Sequence, residues 1–446
     1  MTSDLNQQLV TLLGPDAMVA AGGYAVDGVA PRVVARPADR QGVAELLRWA
    51  SAEGVRVFPT GGGVFTRLGN VPSRVDVVLD LRRLDRVVEY QPADLTVSAE
   101  AGITLESLRR ELAQGEKYVP LEAPLAHRAT VGGILATGYS GPMRYSYGLP
   151  RDWVIGISVA GTDGVETKAG GRVVKNVTGY DLNKLYTGSL GTLGVIVEAS
   201  FKLAPVPETW AGVTAFFPSM ATAISATRSL VSQVYAPQGL QVATPDVAGR
   251  LGIDLPVDAG AVALGFVAGR PRAVARRLEE SARLLGESGA SLVETGDEPT
   301  ASSLLGGLTD LPWSDADPPE LSLKVTLPPN NVDKLLGALG SDGNGAGDWG
   351  VIADPGFGVV QLLRWASAPA GGMDASDIMA EVDGVRRAAA RLGGSTVVEA
   401  CPPDVKAGLD VWEGAAGEGE LEIMRRIKGN FDPAGILNTG RFVGRL

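Results

Sequence analysis

A chain of 446 residues, 45% hydrophobic and 20% charged, has the make-up of an ordinary soluble globular protein and the length for two or three domains. Its formal charge of −11 argues against a nucleic-acid surface and against direct adhesion to anionic lipid, since both call for clustered Lys and Arg. A single cysteine, Cys401, and a single histidine, His127, exclude an internal disulfide, a cysteine-held zinc or iron–sulfur site and an HExxH metalloenzyme.

In chain order, MTSDLNQQLV lacks the basic start and apolar core of a signal peptide. No apolar run approaches the ~20 residues of a membrane span, Gly260 to Gly269 being about half that, so a cytoplasmic soluble protein is expected. Gln41 to Glu53 places Val43, Leu46, Leu47 and Ala50 on one helical face, and Val55 to Thr60 reads as a strand running into the turn Gly61–Gly62–Gly63. Asp76 to Leu81, Arg86 to Tyr90 and Leu95 to Ala101 read as short strands, and Thr104 caps a helix over Leu105 to Ala113. A helix is predicted over Val131 to Thr137, a buried strand over Ile155 to Ala160, and a hairpin turn at Asp163–Gly164. Tyr180 to Thr187 reads as a short helix, and Gly194 to Leu203 as a strand.

APVPE at Ala204 to Glu208 breaks this pattern and marks a domain boundary. Beyond it, strands at Val213–Phe217, Ala261–Val267, Leu321–Leu327 and Gly358–Trp365 alternate with amphipathic helices near Ala221–Val234, Arg272–Leu285 and Ala375–Leu392. An antiparallel sheet with helices on one face is expected. Leu255–Ala259, Gly296–Pro299 and Ser314–Pro319 read as loops, and SDGNGAGD at Ser341 to Asp348 as either a ligand loop or a surface turn. A last helix, Glu418 to Lys428, leads into FDPAGILNTGR at Phe431 to Arg441.

The fifty-nine glycines are about twice the usual share and are not periodic. They cluster in PTGGG at Pro59 to Gly63, in ATVGGILATGYSG at Ala129 to Gly141, and in KNVTGYDLNKLYTGSLGTLG at Lys175 to Gly194. Three such loops suit a long phosphate-bearing cofactor lying against bare backbone. Neither a G-x-G-x-x-G turn after a strand nor a GxxxxGK[ST] loop is present, which sets aside Rossmann and P-loop sites.

GYAVDGVAPRVVARPADRQGVAELLRWASAEGVRVFPTGGG, LDLRRLDRV, ATVGGILATGYSGPMRYSYGLPRDWVIG and KNVTGYDLNKLYTGSLGTLGVI occur in this order between Tyr24 and Pro207. Together they resemble the FAD-binding domain of the vanillyl-alcohol-oxidase/p-cresol-methylhydroxylase (PCMH) type. FDPAGILNTGR resembles the branch that oxidises 2-hydroxy acids, and the Tyr180–Asp181 pair with the compact length is most similar to the FAD-binding E subunit of bacterial glycolate oxidase. The resemblance implies an α+β fold. A PCMH-type FAD-binding domain of two subdomains would cover 1–207, a cap domain with an antiparallel sheet flanked by helices 208–400, and a C-terminal helix and tail returning to the FAD domain 401–446.

The same resemblance implies an FAD site with a chemical reason for each loop. Pro59, Thr60, Gly61, Gly62 and Gly63 end a strand where successive backbone N–H groups can form a nest for the pyrophosphate, with a hydroxyl from Thr66. Thr130, Val131, Gly132 and Gly133 open a helix whose amides can hold anionic groups. Gly138, Tyr139, Ser140, Gly141 and Arg144 would run beside the ribityl chain and flavin ring, and Gly194, Val195 and Ile196 near the adenine. Any one of these glycines can equally be a plain turn. Covalent attachment in the superfamily commonly uses a first-loop His, sometimes with a second-loop Cys. PTGGGVFT has neither and Cys401 is remote in sequence, so dissociable, non-covalent FAD is expected.

Oxidising a 2-hydroxy acid moves a hydride to the flavin while a base takes the hydroxyl proton, a role that usually falls to His. Related catalytic subunits also carry cap histidines that bind a metal, and residues 208 to 400 contain none, so no metal is expected. His127 remains as a structural, FAD-contacting or basic residue. Arg144 and Arg151 could clamp a carboxylate or pair with Asp152 or the cofactor phosphates. Tyr145 and Tyr147 are ring-side hydroxyls or loop packing, and Arg364 with Trp365 either reaches the flavin mouth or packs at the sheet edge.

The implied role is an FAD-holding subunit that depends on a homologous catalytic FAD subunit for oxidation of a small 2-hydroxy acid and on an iron–sulfur subunit for electron acceptance. No nucleic acid and no direct membrane span enter this picture, and any membrane association comes through the partner subunits. Two alternatives stand beside it: a self-sufficient FAD oxidoreductase for another hydroxy acid or alcohol, and a scaffold that has lost FAD.

Overall fold

The structure, a computed structural model, describes residues 2–171, 180–340, 348–366 and 373–446. It divides into two compact units, one made of 1–139, 149–206 and 406–446, the other of 140–148 and 207–405. Beside the expected division at 207, residues 140–148, which begin with the last two of the second glycine segment, group with the cap. The third segment's Lys175 to Gly179 and the loop Ser341 to Gly347 lie outside the described residues.

The first unit holds two sheets. Strands Val33–Ala35, Val77–Asp80 and Val57–Thr60 run parallel in that order, with Met18–Val19 antiparallel at one edge. The helix Arg40–Glu53 covers this sheet, opened by Asp39 accepting from the Gly42 N–H at 2.9 Å and closed by left-handed Gly54. Its predicted stripe Val43, Leu46, Leu47 and Ala50 is buried against Val57, Val77 and Leu79. Ile436 and Leu437 of the tail pack into the same core.

The second sheet is antiparallel, ordered Val87–Gln91, Thr96–Glu100, Val195–Lys202, Val154–Ala160, Glu166–Gly170. Asp163 and Gly164 turn its last hairpin as predicted. Thr104 caps Leu105–Ala113 by accepting from the Ser107 N–H at 3.2 Å. Leu105, Leu108 and Leu112 of that helix meet Val131, Ile134 and Leu135 of Val131–Thr137 in one core. Burying these side chains stabilises by roughly 1.5–3 kcal/mol each.

The second unit is built on an eight-stranded antiparallel sheet ordered Leu292–Gly296, Thr209–Phe217, Ala261–Gly269, Gly239–Ala243, Gly350–Asp354, Val359–Arg364, Leu321–Thr326, Ser395–Ala400. The apolar run at 261–269 is thus an interior strand, buried along nearly all its length. Pro271–Glu287 packs through Val274 and Leu278 on Ala211 and Val267 of one face. The expectation of helices on one face only is corrected: Glu298–Asp310 and Pro245–Arg250 cover the opposite face through Ala301, Leu308, Val247 and Ala248. Gly212 leaves room there for Ala301, whose Cβ lies 3.4 Å from where a Gly212 Cβ would stand. Gly296–Pro299 is not a plain loop, since Asp297 caps that helix. Among the described residues no helix is long and apolar enough to cross a membrane.

Candidate cofactor site

Strand Val57–Thr60 ends at the floor of two adjoining clefts, of about 810 and 880 Å³, that share Phe58, Thr60, Gly61, Gly62, Gly63 and Thr66. The larger apolar part of the lining in the first cleft comes from Val64, Phe65, Leu68, Leu81 and Leu190. The second is flanked by Gly22 to Val26 and by Arg82 and Arg128, cations suited to an anionic group.

None of the N–H groups of Gly61, Gly62, Gly63 and Val64 donates to an acceptor among the described residues. Four successive donors at a strand end, unbonded within the described residues, leave the first loop able to serve an anion. The glycines themselves answer to packing as much as to a ligand. A Cβ on Gly62 would stand 1.9 Å from Arg128 O, and one on Gly61 2.0 Å from Thr130 Oγ1, so the first loop lies flush on the second. Only Gly63, at φ +77°, needs glycine for its backbone conformation.

The second loop behaves differently. Segment 129–132 pairs with 101–105: Leu105 N donates to Ala129 O at 2.9 Å, Val131 N to Ile103 O at 2.9 Å and Gly132 N to Ala101 O at 2.7 Å. Gly133 N is taken by Thr130 Oγ1 at 3.3 Å. The expected role of these amides as anion donors is therefore corrected, because protein acceptors already hold Val131, Gly132 and Gly133. What this loop gives the cleft is surface: Thr130, Gly132, Gly133, Ala136 and Thr137 line it, and Val131 is core. Gly194, Val195 and Ile196 line it from the adjoining strand.

Other expected residues fall elsewhere. Pro59 lines the cleft. Gly138 is the left-handed cap ending Val131–Thr137, and Tyr139 stacks at 5.4 Å on Phe65. Ser140, Gly141 and Arg144 belong to the second unit. His127 is exposed in the turn 124–128 and is not among the cleft residues. Arg364 faces a helix, bonded to Glu381 and 3.3 Å from Asp348, with Trp349 beneath it. Arg151 is exposed.

Sequence reasoning missed the tail's contribution. Arg441, 2% exposed, lines the cleft and donates to Asp27 Oδ2 and to the carbonyls of Asn70 at 2.6 Å, Thr66 at 2.5 Å and Leu68 at 2.6 Å. Burial pulls its pKa below the usual guanidinium value, and Asp27 opposes that pull. Lys406 completes the clamp on Asp27 at 2.8 Å. Asn438 donates to Leu190 O and leaves its buried Oδ1 without a partner at the cleft wall. Asp80, below the first loop, would be raised by burial, but Arg82, Tyr24 and Arg36 hold it below the usual carboxylate range. FDPAGILNTGR carried the signal for Asn438 and Arg441, read only as a family mark.

Residues 31–170 match the FAD binding domain model, and 410–442 the C-terminal domain of FAD linked oxidases. Over those two stretches the chain is similar to the FAD-linked oxidases. The GlcD subunit of Bacillus subtilis glycolate oxidase is 29% identical over 251 residues, covering 54% of this chain and 53% of that one. The GlcE subunit of Escherichia coli glycolate oxidase is 39% identical over 131 residues, covering 29% and 37%. The chain spans about half or less of the length of these relatives. The fold is of the PCMH type: p-cresol methylhydroxylase superposes with a TM-score of 0.73 at 16% identity over 98% of this chain and 96% of that one. The cleft thus presents free donors for a diphosphate and an orphaned acceptor, Asn438 Oδ1, among the described residues, a set that fits FAD.

Proposed function

We propose that the chain is the FAD-holding subunit of a glycolate, or more broadly 2-hydroxy acid, oxidase or dehydrogenase complex, binding FAD non-covalently in the cytoplasm. The free amide run Gly61 to Val64 carries the cofactor half of this reading. Those amides would hold the pyrophosphate, Thr66 would add a hydroxyl, and Gly194, Val195, Ile196 and Asn438 would line the rest of the cofactor. Bound FAD supplies a hydride acceptor. The chain's own residues bind it, exclude water with Val64, Phe65 and Leu190, and brace the loop through Arg441.

Dependence on a homologous catalytic FAD subunit and an iron–sulfur subunit rests on the absence of histidine from 208–400 and on the likeness to two glycolate oxidase subunits. Anaerobic mixing of the FAD-loaded chain with glycolate and D-lactate tests it. The flavin absorbance should persist with the chain alone and bleach when the co-purified partners are present. Rapid bleaching of the isolated chain by either acid would mean that it oxidises its donor unaided. One observation favours that second reading: the cap sheet has a buried polar cluster of its own, around Arg144 and Asp354.

A further inference from the structure

On the cap sheet, register brings polar side chains to one face at the end that Glu298–Asp310 leaves uncovered. Lys324 stands opposite Gln361, Gln361 opposite Ile352, and Ile352 opposite Ala243. Side chains alternate along a strand, so Asp354 and Gln241, two residues from Ile352 and Ala243, share that face. Glu399, the extra residue of a bulge in the edge strand, joins them by accepting from Gln361 Nε2 at 2.7 Å, a donor also 2.8 Å from Ser322 Oγ.

Buried polar groups are normally satisfied, and the Asp354 carboxylate here is only half so. Asp354 is 2% exposed. Its Oδ1 accepts from Gly356 N at 3.1 Å and Phe357 N at 2.9 Å, while Oδ2 accepts no hydrogen bond and lies 4.0 Å from Arg144 Nε. Lys324, half-buried, makes no ion pair with a described residue. Burial pulls it below the usual ammonium value, with Glu399 opposing and Arg144 adding to the pull. Burial likewise raises the Asp354 carboxyl, against the pull of Arg144. Leaving the buried Asp354 oxygen without a donor costs about 1–3 kcal/mol unless a ligand meets it, and the half-buried Lys324 ammonium stands on the same face.

We propose that this face binds a small hydroxy-carboxylate, with Lys324 and Arg144 holding the carboxylate and Asp354 Oδ2 accepting the hydroxyl. The two cations supply charge-assisted donors, and a lone acceptor beside them selects a ligand with an O–H over one without. The inference rests on the hydroxy-acid reading above for the class of ligand, and names residues of this chain that would recognise it.

Calorimetry on the FAD-loaded protein, reduced anaerobically so that glycolate binds without turnover, tests it with glycolate and acetate as probes. The wild-type protein should bind glycolate at least tenfold more tightly than acetate. Lys324→Met should weaken glycolate at least tenfold with FAD content and melting temperature preserved. Asp354→Asn should erase the preference for glycolate, because its amide oxygen stays on the Gly356 and Phe357 N–H groups and turns a donor toward the hydroxyl. Equal binding of the two acids by the wild type, or wild-type affinity in either variant, overturns the site. Oxidation of glycolate by the co-purified complex with KM unchanged by Lys324→Met would overturn the site and leave the hydroxy-acid reading. Tight, Lys324-dependent glycolate binding with no oxidation under any pairing would do the reverse.

Discussion

The two glycine loops at the cleft look interchangeable as sequence and differ in physics. The first leaves four N–H groups from Gly61 to Val64 without acceptors among the described residues, whereas in the second the amides of Val131, Gly132 and Gly133 are taken by Ile103, Ala101 and Thr130. The first loop is a donor surface, the second a platform on which it rests. Glycine serves close approach in both, but in the first pair of contacts the thing approached is protein backbone, Arg128 O, rather than a ligand. A glycine-rich segment therefore identifies contact, and only the hydrogen-bond ledger says with what.

The difference can be broken or sharpened by experiment. Arg441→Met removes the brace from the first loop, leaving Asp27 and three carbonyls short of donors. It should cost about 3–5 kcal/mol and release FAD, read by melting and by flavin retained after gel filtration. Gly62→Ala forces the two loops apart and should cost about 1–3 kcal/mol, with FAD affinity falling further than stability alone explains. On FAD removal, hydrogen exchange at Gly61 to Val64 should quicken at least tenfold while Val131 and Gly132 stay protected, as amides bonded within the protein do. Equal quickening in both loops would end the distinction. Thr130→Ala loses a helix cap, costing about 1 kcal/mol of stability, and should shift FAD affinity no more than that. Gly133→Ala, whose Cβ would meet only Thr130 Oγ1 at 3.3 Å and Phe65 at 3.7 Å, should be the mildest.

Local pattern made much of the first unit legible. Val43, Leu46, Leu47 and Ala50 declared their helix by spacing, and Thr104 its cap by chemistry. The amide commitments of Val131 and Gly132 were not legible, because the acceptors at 101 and 103 are set by tertiary pairing. In the cap, strands Gly239–Ala243 and Gly350–Asp354 escaped notice for a related reason. Their inward positions carry Gln241 and Asp354, polar residues that spoil the alternation by which a half-buried strand is recognised. Sites that break a pattern are where function is often lodged.

The clamp on Asp27 also has a temporal side. Arg441 lies 414 residues beyond its partner, so on a ribosome adding about 5–20 residues per second the first loop waits tens of seconds for its brace. Through that interval a nascent chain can form the strands and helices encoded before 206, but neither the core places of Ile436 and Leu437 nor the brace on the first loop. On the reading that this cleft holds FAD, cofactor loading is then one of the last events in this protein's biogenesis, waiting on the tail that completes the unit bearing the glycines.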